Sequence, residues 1–165
     1  MLDAIHWDAD LIRRHDRPGP RYTSYPTAVQ FHGEVGSFDL LHALRDSRKA
    51  KRPLSLYVHV PFCAQICPFC PYNKVLADDG LARRYFAALG TEVDDLVAAC
   101  DDAGRVPFTS LYIGGGTPTL YPDALAALVA RIPVTGERAI EVLPTHGTRA
   151  GLDRLAALGF SAVSV

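Results

Sequence analysis

Leu54-Ser-Leu-Tyr-Val-His-Val60, running into Pro61-Phe-Cys63-Ala-Gln-Ile-Cys67-Pro-Phe-Cys70, decides the fold of this chain. The first seven residues alternate: Leu54, Leu56, Val58 and Val60 share one face, Tyr57 and His59 the other. Period-two alternation predicts a strand. Pro61, Pro68 and Pro71 then keep the cysteine segment out of a regular helix, so the thiols are expected to converge from a loop. Downstream the order repeats. Tyr85, Leu89, Val93, Leu96 and Cys100 form an apolar stripe at three- and four-residue spacing, predicting a helix over 81–100. Ser110–Ile113 reads as a strand stopped by three glycines, and Pro122 opens a helix to Arg131. Ala139–Val142 is a third strand, 150–158 a short helix closed by Gly159, and Phe160–Val165 a fourth strand.

The result is β-α-β-α-β-α-β, the signature of a parallel sheet with right-handed crossovers. Four strands close no barrel, so the expected fold is α/β, the front part of a larger parallel β/α barrel. A doubly wound open sheet is the alternative. Residues 1–53 read as an N-terminal extension, and 54–165 as the first portion of the barrel. Within the extension, three prolines and a glycine in 17–27 predict extended chain, and a short helix fits Phe38–Ala50. Arg45, Arg48, Lys49, Lys51 and Arg52 near that helix end read as solvated cations, with an anion-docking patch as the alternative.

Composition narrows the function classes. Of 165 residues, 48% are hydrophobic and 21% charged. That is enough for a packed core. Seventeen basic against eighteen acidic side chains argue against broad binding to nucleic acid or an anionic membrane surface. No apolar run is long enough to span a bilayer, and the first ten residues lack the apolar core of a secretory signal. A cytoplasmic location is expected, where cysteines serve more often as ligands or nucleophiles than as disulfides.

Three of the four cysteines, Cys63, Cys67 and Cys70, have C-x3-C-x2-C spacing. Three thiolates satisfy three irons of a four-iron cluster and leave the fourth open. A structural zinc would need a fourth ligand, for which His59 is the nearest candidate. Cys100 ends an apolar stripe and reads as core. Gly114-Gly-Gly116-Thr117-Pro118 follows the second strand and lets a ligand approach the backbone. It has neither the Lys-Ser/Thr ending of a P-loop nor a G-x-G-x-x-G pattern. Glu141 lies near the end of the third strand. In a parallel α/β sheet all three features fall at the carboxyl edge, where ligands bind.

These residues resemble the radical S-adenosylmethionine (radical SAM) enzymes, and the branch around oxygen-independent coproporphyrinogen III oxidase. The likeness is carried by Cys63, Cys67 and Cys70, by Gly114–Pro118, and by Arg21-Tyr-Thr-Ser-Tyr-Pro-Thr27. Tyr57-Val-His-Val-Pro-Phe-Cys63 and Glu141-Val-Leu-Pro144 add to it. It implies that the three cysteines ligate a [4Fe–4S] cluster whose open iron chelates S-adenosylmethionine. It further implies that Tyr57, Gly114, Gly115, Gly116 and Glu141 serve this first molecule, and that Phe69, Thr117 and Pro118 lie near a second. The reaction implied is reductive cleavage to a 5′-deoxyadenosyl radical, which starts oxidative decarboxylation of two coproporphyrinogen III propionates. The partners implied are a porphyrinogen and a reducing electron donor. One position departs: the oxidase pattern has a further cysteine two residues after the third ligand, and here Tyr72 stands there. Haem chaperones and methyltransferases of the superfamily also carry an aromatic at that place. Family members continue well past residue 165, so an N-terminal part of a longer protein is expected.

Overall fold

A computed structural model describes residues 8–16, 33–100 and 108–165. The extended chain expected over 17–27, with its Arg21–Thr27 motif, lies outside the described residues. The chain divides into two compact units, Met1–Gly36 and Ser37–Val165. In the first, helix α1 (Ala9–His15) is capped by Asp8, whose carboxylate accepts from the amides of Asp10 and Leu11 at 3.0 and 2.9 Å. Such a bond satisfies donors that the first turn otherwise leaves free.

The second unit opens with α2 (Ser37–Lys49), so this helix groups with the sheet rather than with the preceding residues. It ends in a turn with Lys51 left-handed (φ 55°), the Arg52 amide donating to the Ser47 carbonyl. This is the hydrogen-bond pattern of a Schellman motif. Arg48 departs from the solvated-cation expectation. It is only 8% exposed, close enough to Cys100 for its charge to favour the thiolate, although burial dominates and pushes that thiol up. The reason is its position on the face of α2 that packs on α3 (Asp79–Cys100). Cys100 itself is buried, as expected of a core residue.

The strands among the described residues are β1 (Leu54–Val60), β2 (Phe62–Cys63), β3 (Val75–Leu76), β4 (Phe108–Gly115), β5 (Arg138–Glu141) and β6 (Ala162–Ser164). A four-stranded parallel sheet has the order β1-β4-β5-β6. A doubly wound sheet reverses direction at a switch point. Here each strand of the sheet sits beside its predecessor, the order of a barrel. Between the strands run α3, α4 (Pro122–Val129) and α5 (Arg149–Ala157). The last closes at Gly159 (φ 83°), as the sequence predicts. Val58, Val60, Leu111, Ile113, Ile140 and Val142 are buried in the main core. In the paired register Tyr57, Tyr112 and Ala139 lie side by side, and alternation puts them on the opposite face with His59 and Glu141.

The helical stripe is offset from its expected place. Tyr85, Leu89 and Leu96 are only partly buried, whereas Ala82, Phe86 and Gly90 are buried beside Val93. A Cβ at Gly90 would meet the Arg131 guanidinium at 3.5 Å, an ordinary contact, and that guanidinium is bound to Asp94. The second, two-stranded parallel sheet of β2 and β3 was not expected. Two-residue strands carry no readable period.

β1 and β6 are the margins of the four-stranded sheet, and Val163 is 46% exposed. Unpaired margins beside apolar surface invite association. This 165-residue chain is therefore expected to sediment as species heavier than its 17.9 kDa monomer at micromolar concentration. A single monomeric boundary would show that the margins are covered.

Candidate functional site

The site begins where β1 hands over to the cysteine loop. His59 and Val60 pair in register with Gly114 and Gly115 at the end of β4. Beyond the last ladder pair the two chains stay tied: the Gly116 amide donates to the Val60 carbonyl at 2.8 Å, and the Thr117 amide to that of Phe62 at 2.7 Å. The glycine turn thus lies directly against the entry to the cysteine loop. A Cβ at Gly116 would stand 2.5 Å from the Phe62 oxygen and 2.8 Å from Cys63 Sγ. Gly115 has φ +121°, and its Cβ would strike the Val60 oxygen and the His59 ring. Only glycine enters that region without strain. Phe62 anchors the corner from behind, edge-on to Tyr85 and Tyr121 at 5.4 and 5.5 Å. Aromatic rings favour this edge-to-face contact.

The loop is then pinned at its exit. Val75 and Ala77 donate to the carbonyls of Pro61 and Cys63, and the Cys70 amide to that of Cys67. His59 Nε2 meets the Asn73 carbonyl at 2.8 Å, and its Nδ1 meets the Tyr57 hydroxyl at 3.0 Å. A carbonyl only accepts, so the neutral ring carries its proton on Nε2 and accepts from Tyr57 at Nδ1. Both nitrogens are engaged, so His59 would have to give up a hydrogen bond to serve as a fourth ligand for zinc.

Glu141 comes in from β5. Its carboxylate accepts from the Gly115 amide at 2.9 Å and from the Tyr112 hydroxyl at 3.2 Å. It also covers Gly114, where a Cβ would lie 2.9 Å from the carboxyl carbon. Tyr112 stacks on Tyr57, ring centres 6.0 Å apart at 24°. Burial, and then the nearby charge of Glu141, push the Tyr57 phenol up, so it remains a neutral donor. Glu141 offers an acceptor for an ammonium or hydroxyl beside the half-buried backbone of Gly115 and Gly116.

Tyr57, Gly114, Gly115, Gly116, Glu141 and Cys63 are thus brought together at the carboxyl edge of the sheet. Thr117 and Pro118 are buried beneath the turn, while Phe69 is 85% exposed. Cys63 and Cys70 are half-buried and Cys67 is exposed. Burial and the neighbouring Cys70 and Cys67 raise the Cys63 thiol, while Lys74 opposes them. Among the described residues no three His, Cys, Asp or Glu side chains gather tightly enough to hold a metal ion, so the expected convergence of the thiols is not present in this arrangement. Thiolates repel, and bound metal is normally what draws such ligands together. The donor set nevertheless fits an iron–sulfur group: three soft sulfurs on one short loop, with a glycine where any side chain would press on Cys63 Sγ. Tyr112 escaped the sequence reading, because its place between Tyr57 and Glu141 depends on the register of three strands.

Residues 57–165 match the radical SAM superfamily. Over its whole length the chain is 48% identical to the oxygen-independent coproporphyrinogen III oxidase of Pseudomonas aeruginosa, covering 38% of that protein. It is 38% identical to the oxidase of the same name from Escherichia coli, across 99% of this chain and 36% of the relative. The solved structure of the E. coli coproporphyrinogen III oxidase, described as a radical SAM enzyme, superposes with a TM-score of 0.78 at 36% identity. That match covers 96% of this chain and 36% of the other. The chain therefore spans little more than a third of the length of these relatives.

Proposed function

This chain belongs to the radical SAM superfamily, and on that premise we propose that it is the cluster- and cofactor-holding part of an enzyme of the oxygen-independent coproporphyrinogen III oxidase type. Cys63, Cys67 and Cys70 would hold a [4Fe–4S] cluster. Tyr57, Gly114, Gly115, Gly116 and Glu141 would bind one S-adenosylmethionine, with Phe69, Thr117 and Pro118 toward a second. When bound, cluster and cofactor supply a radical able to take hydrogen from an unactivated carbon. The chain's own residues orient and shield. Glu141 accepts from the cofactor's polar groups, the glycine backbone lets it lie close, and Tyr57 walls the site as a neutral phenol. A porphyrinogen carrying propionate groups is the substrate, and a reduced electron donor the partner.

One observation supports this reading most. The turn that receives the Glu141 carboxylate at Gly115 is the turn that packs Gly116 against Cys63. Cofactor groups and cluster thiol therefore share three consecutive glycines. Anaerobically reconstituted protein should cleave S-adenosylmethionine with reductant, and the full-length protein carrying this chain should decarboxylate coproporphyrinogen III. Absence of reductive cleavage would overturn the proposal.

Tyr72 bears on the substrate. It is 68% exposed beside the site, and its phenol supplies no thiolate. If propionate chemistry needs a thiol there, the full-length protein cleaves S-adenosylmethionine but forms little protoporphyrinogen, and Tyr72→Cys raises that yield. Efficient turnover by the unaltered protein would show the thiol to be dispensable. Failure of both would favour a methyltransferase or a haem chaperone.

Tyr112→Phe keeps the ring on Tyr57 but deletes the bond to Glu141. One such hydrogen bond contributes about 1 kcal/mol. S-adenosylmethionine should bind roughly fivefold more weakly by anaerobic titration calorimetry. Unchanged affinity would show that Glu141 needs no second donor.

A further inference from the structure

A lysine closes the far half of the cysteine loop. Lys74 is half-buried, its stem lying along the loop while its ammonium meets backbone oxygens. Its Nζ donates to the Cys70 carbonyl at 2.6 Å and to the Tyr72 carbonyl at 3.3 Å. An ammonium has three N–H groups and no lone pair, so two of its donors are committed to loop backbone. Among the described residues no carboxylate pairs with it. The charge is thereby held against the backbone of Cys70, itself one of the three candidate ligands.

We infer that Lys74 is a positioning residue that ties the Cys70 and Tyr72 carbonyls of the cysteine loop together and keeps a positive charge at the backbone of Cys70. The inference rests on the reading that these sulfurs hold an iron–sulfur cluster. Such a cluster with its thiolates is anionic and gains one further negative charge on reduction. A nearby cation stabilises the reduced form more than the oxidised one. Lys74 accordingly makes the cluster easier to reduce, besides shaping the loop that receives it.

The test uses Lys74→Met, Lys74→Gln and Lys74→Arg in the full chain. Amide hydrogen exchange on metal-free protein reads the clamp. Residues 67–76 should exchange about tenfold faster in Lys74→Met, as expected for loss of charge-assisted hydrogen bonds, and close to normally in Lys74→Arg. A redox titration of reconstituted protein, followed by electron paramagnetic resonance, reads the charge. At fixed ambient potential the oxidised-to-reduced ratio should rise about tenfold in Lys74→Met and Lys74→Gln, equal to about 59 mV for one electron, and be restored in Lys74→Arg. Faster exchange with an unchanged ratio would reduce Lys74 to a structural tie and overturn the inference. Unchanged values of both would overturn it as well. If Lys74→Met does not fold, the Gln and Arg variants still separate charge from hydrogen bonding. Failure of the unaltered protein to take up iron and sulfide would overturn the cluster reading itself, a result distinct from any exchange measured on metal-free chain.

Discussion

Alanine at Cys63, Cys67 or Cys70 should abolish uptake of iron and sulfide, which is expected to reach about four of each per chain in the unaltered protein. Cys100→Ala should leave uptake intact. The contrast follows from placement. The first three sit on a loop at the carboxyl edge of the sheet, half-buried or exposed, whereas Cys100 is 1% exposed in the core at the end of α3. Losing the Cys100 sulfur costs stability instead, about 1 kcal/mol for a small buried group. Anaerobic reconstitution followed by iron, sulfide and absorption analysis separates the two outcomes. Tight zinc binding without the broad iron–sulfur absorption would refute the assignment, and His59, with both ring nitrogens engaged, already disfavours it.

Gly116→Ala is expected to destabilise the turn and the cysteine loop together. The new carbon would stand 2.5 Å from the Phe62 oxygen and 2.8 Å from Cys63 Sγ, distances that carbon atoms do not tolerate. Neither side can yield cheaply. The amides of Gly116 and Thr117 are bonded to Val60 and Phe62, and Phe62 is itself buried between aromatic rings. Overpacking of this kind costs roughly 2–3 kcal/mol. For a chain of this size the unfolding midpoint should fall on the order of 5–10 °C. Cluster uptake should fall with it, because the clash pushes on a ligand. Gly33→Ala is the control, since nothing lies within 4 Å of a Cβ there. Equal melting curves for both variants would show that the turn relaxes more freely than its hydrogen bonds suggest.

Much of this was legible in the order of residues alone. Leu54–Val60 alternates strictly, and the strand runs between those two residues. Gly159 marked a helix end because the left-handed conformation there suits glycine. The parallel sheet followed from the repeating β-α pattern, and the place of Glu141 near a strand end from Ala139–Val142, whereas only the strand order chose the barrel over the doubly wound alternative. What stayed hidden depends on pairing at a distance. β2 and β3 are too short for a period, and their partnership arises only when the loop folds back from Lys74. Arg48 reads as a surface charge until α2 is seen to pack on α3. Tyr112 looks like any strand tyrosine until Tyr57 and Glu141 appear on either side of it. Thr117 and Pro118 look accessible in a turn, yet fold under it.

The pinned cysteine loop has a consequence for the life of the protein in air. None of its three ligand candidates belongs to the hydrophobic core, and its two ends are stapled by β2 and β3 and by His59 on Asn73. Closing the ends of a short loop in advance removes part of the ordering entropy that loading would otherwise carry. Zinc fingers collapse without their ion because the ion is their core. Here the scaffold has its own core, so on the proposed reading loss of a cluster to oxygen should leave the sheet folded and open to reloading.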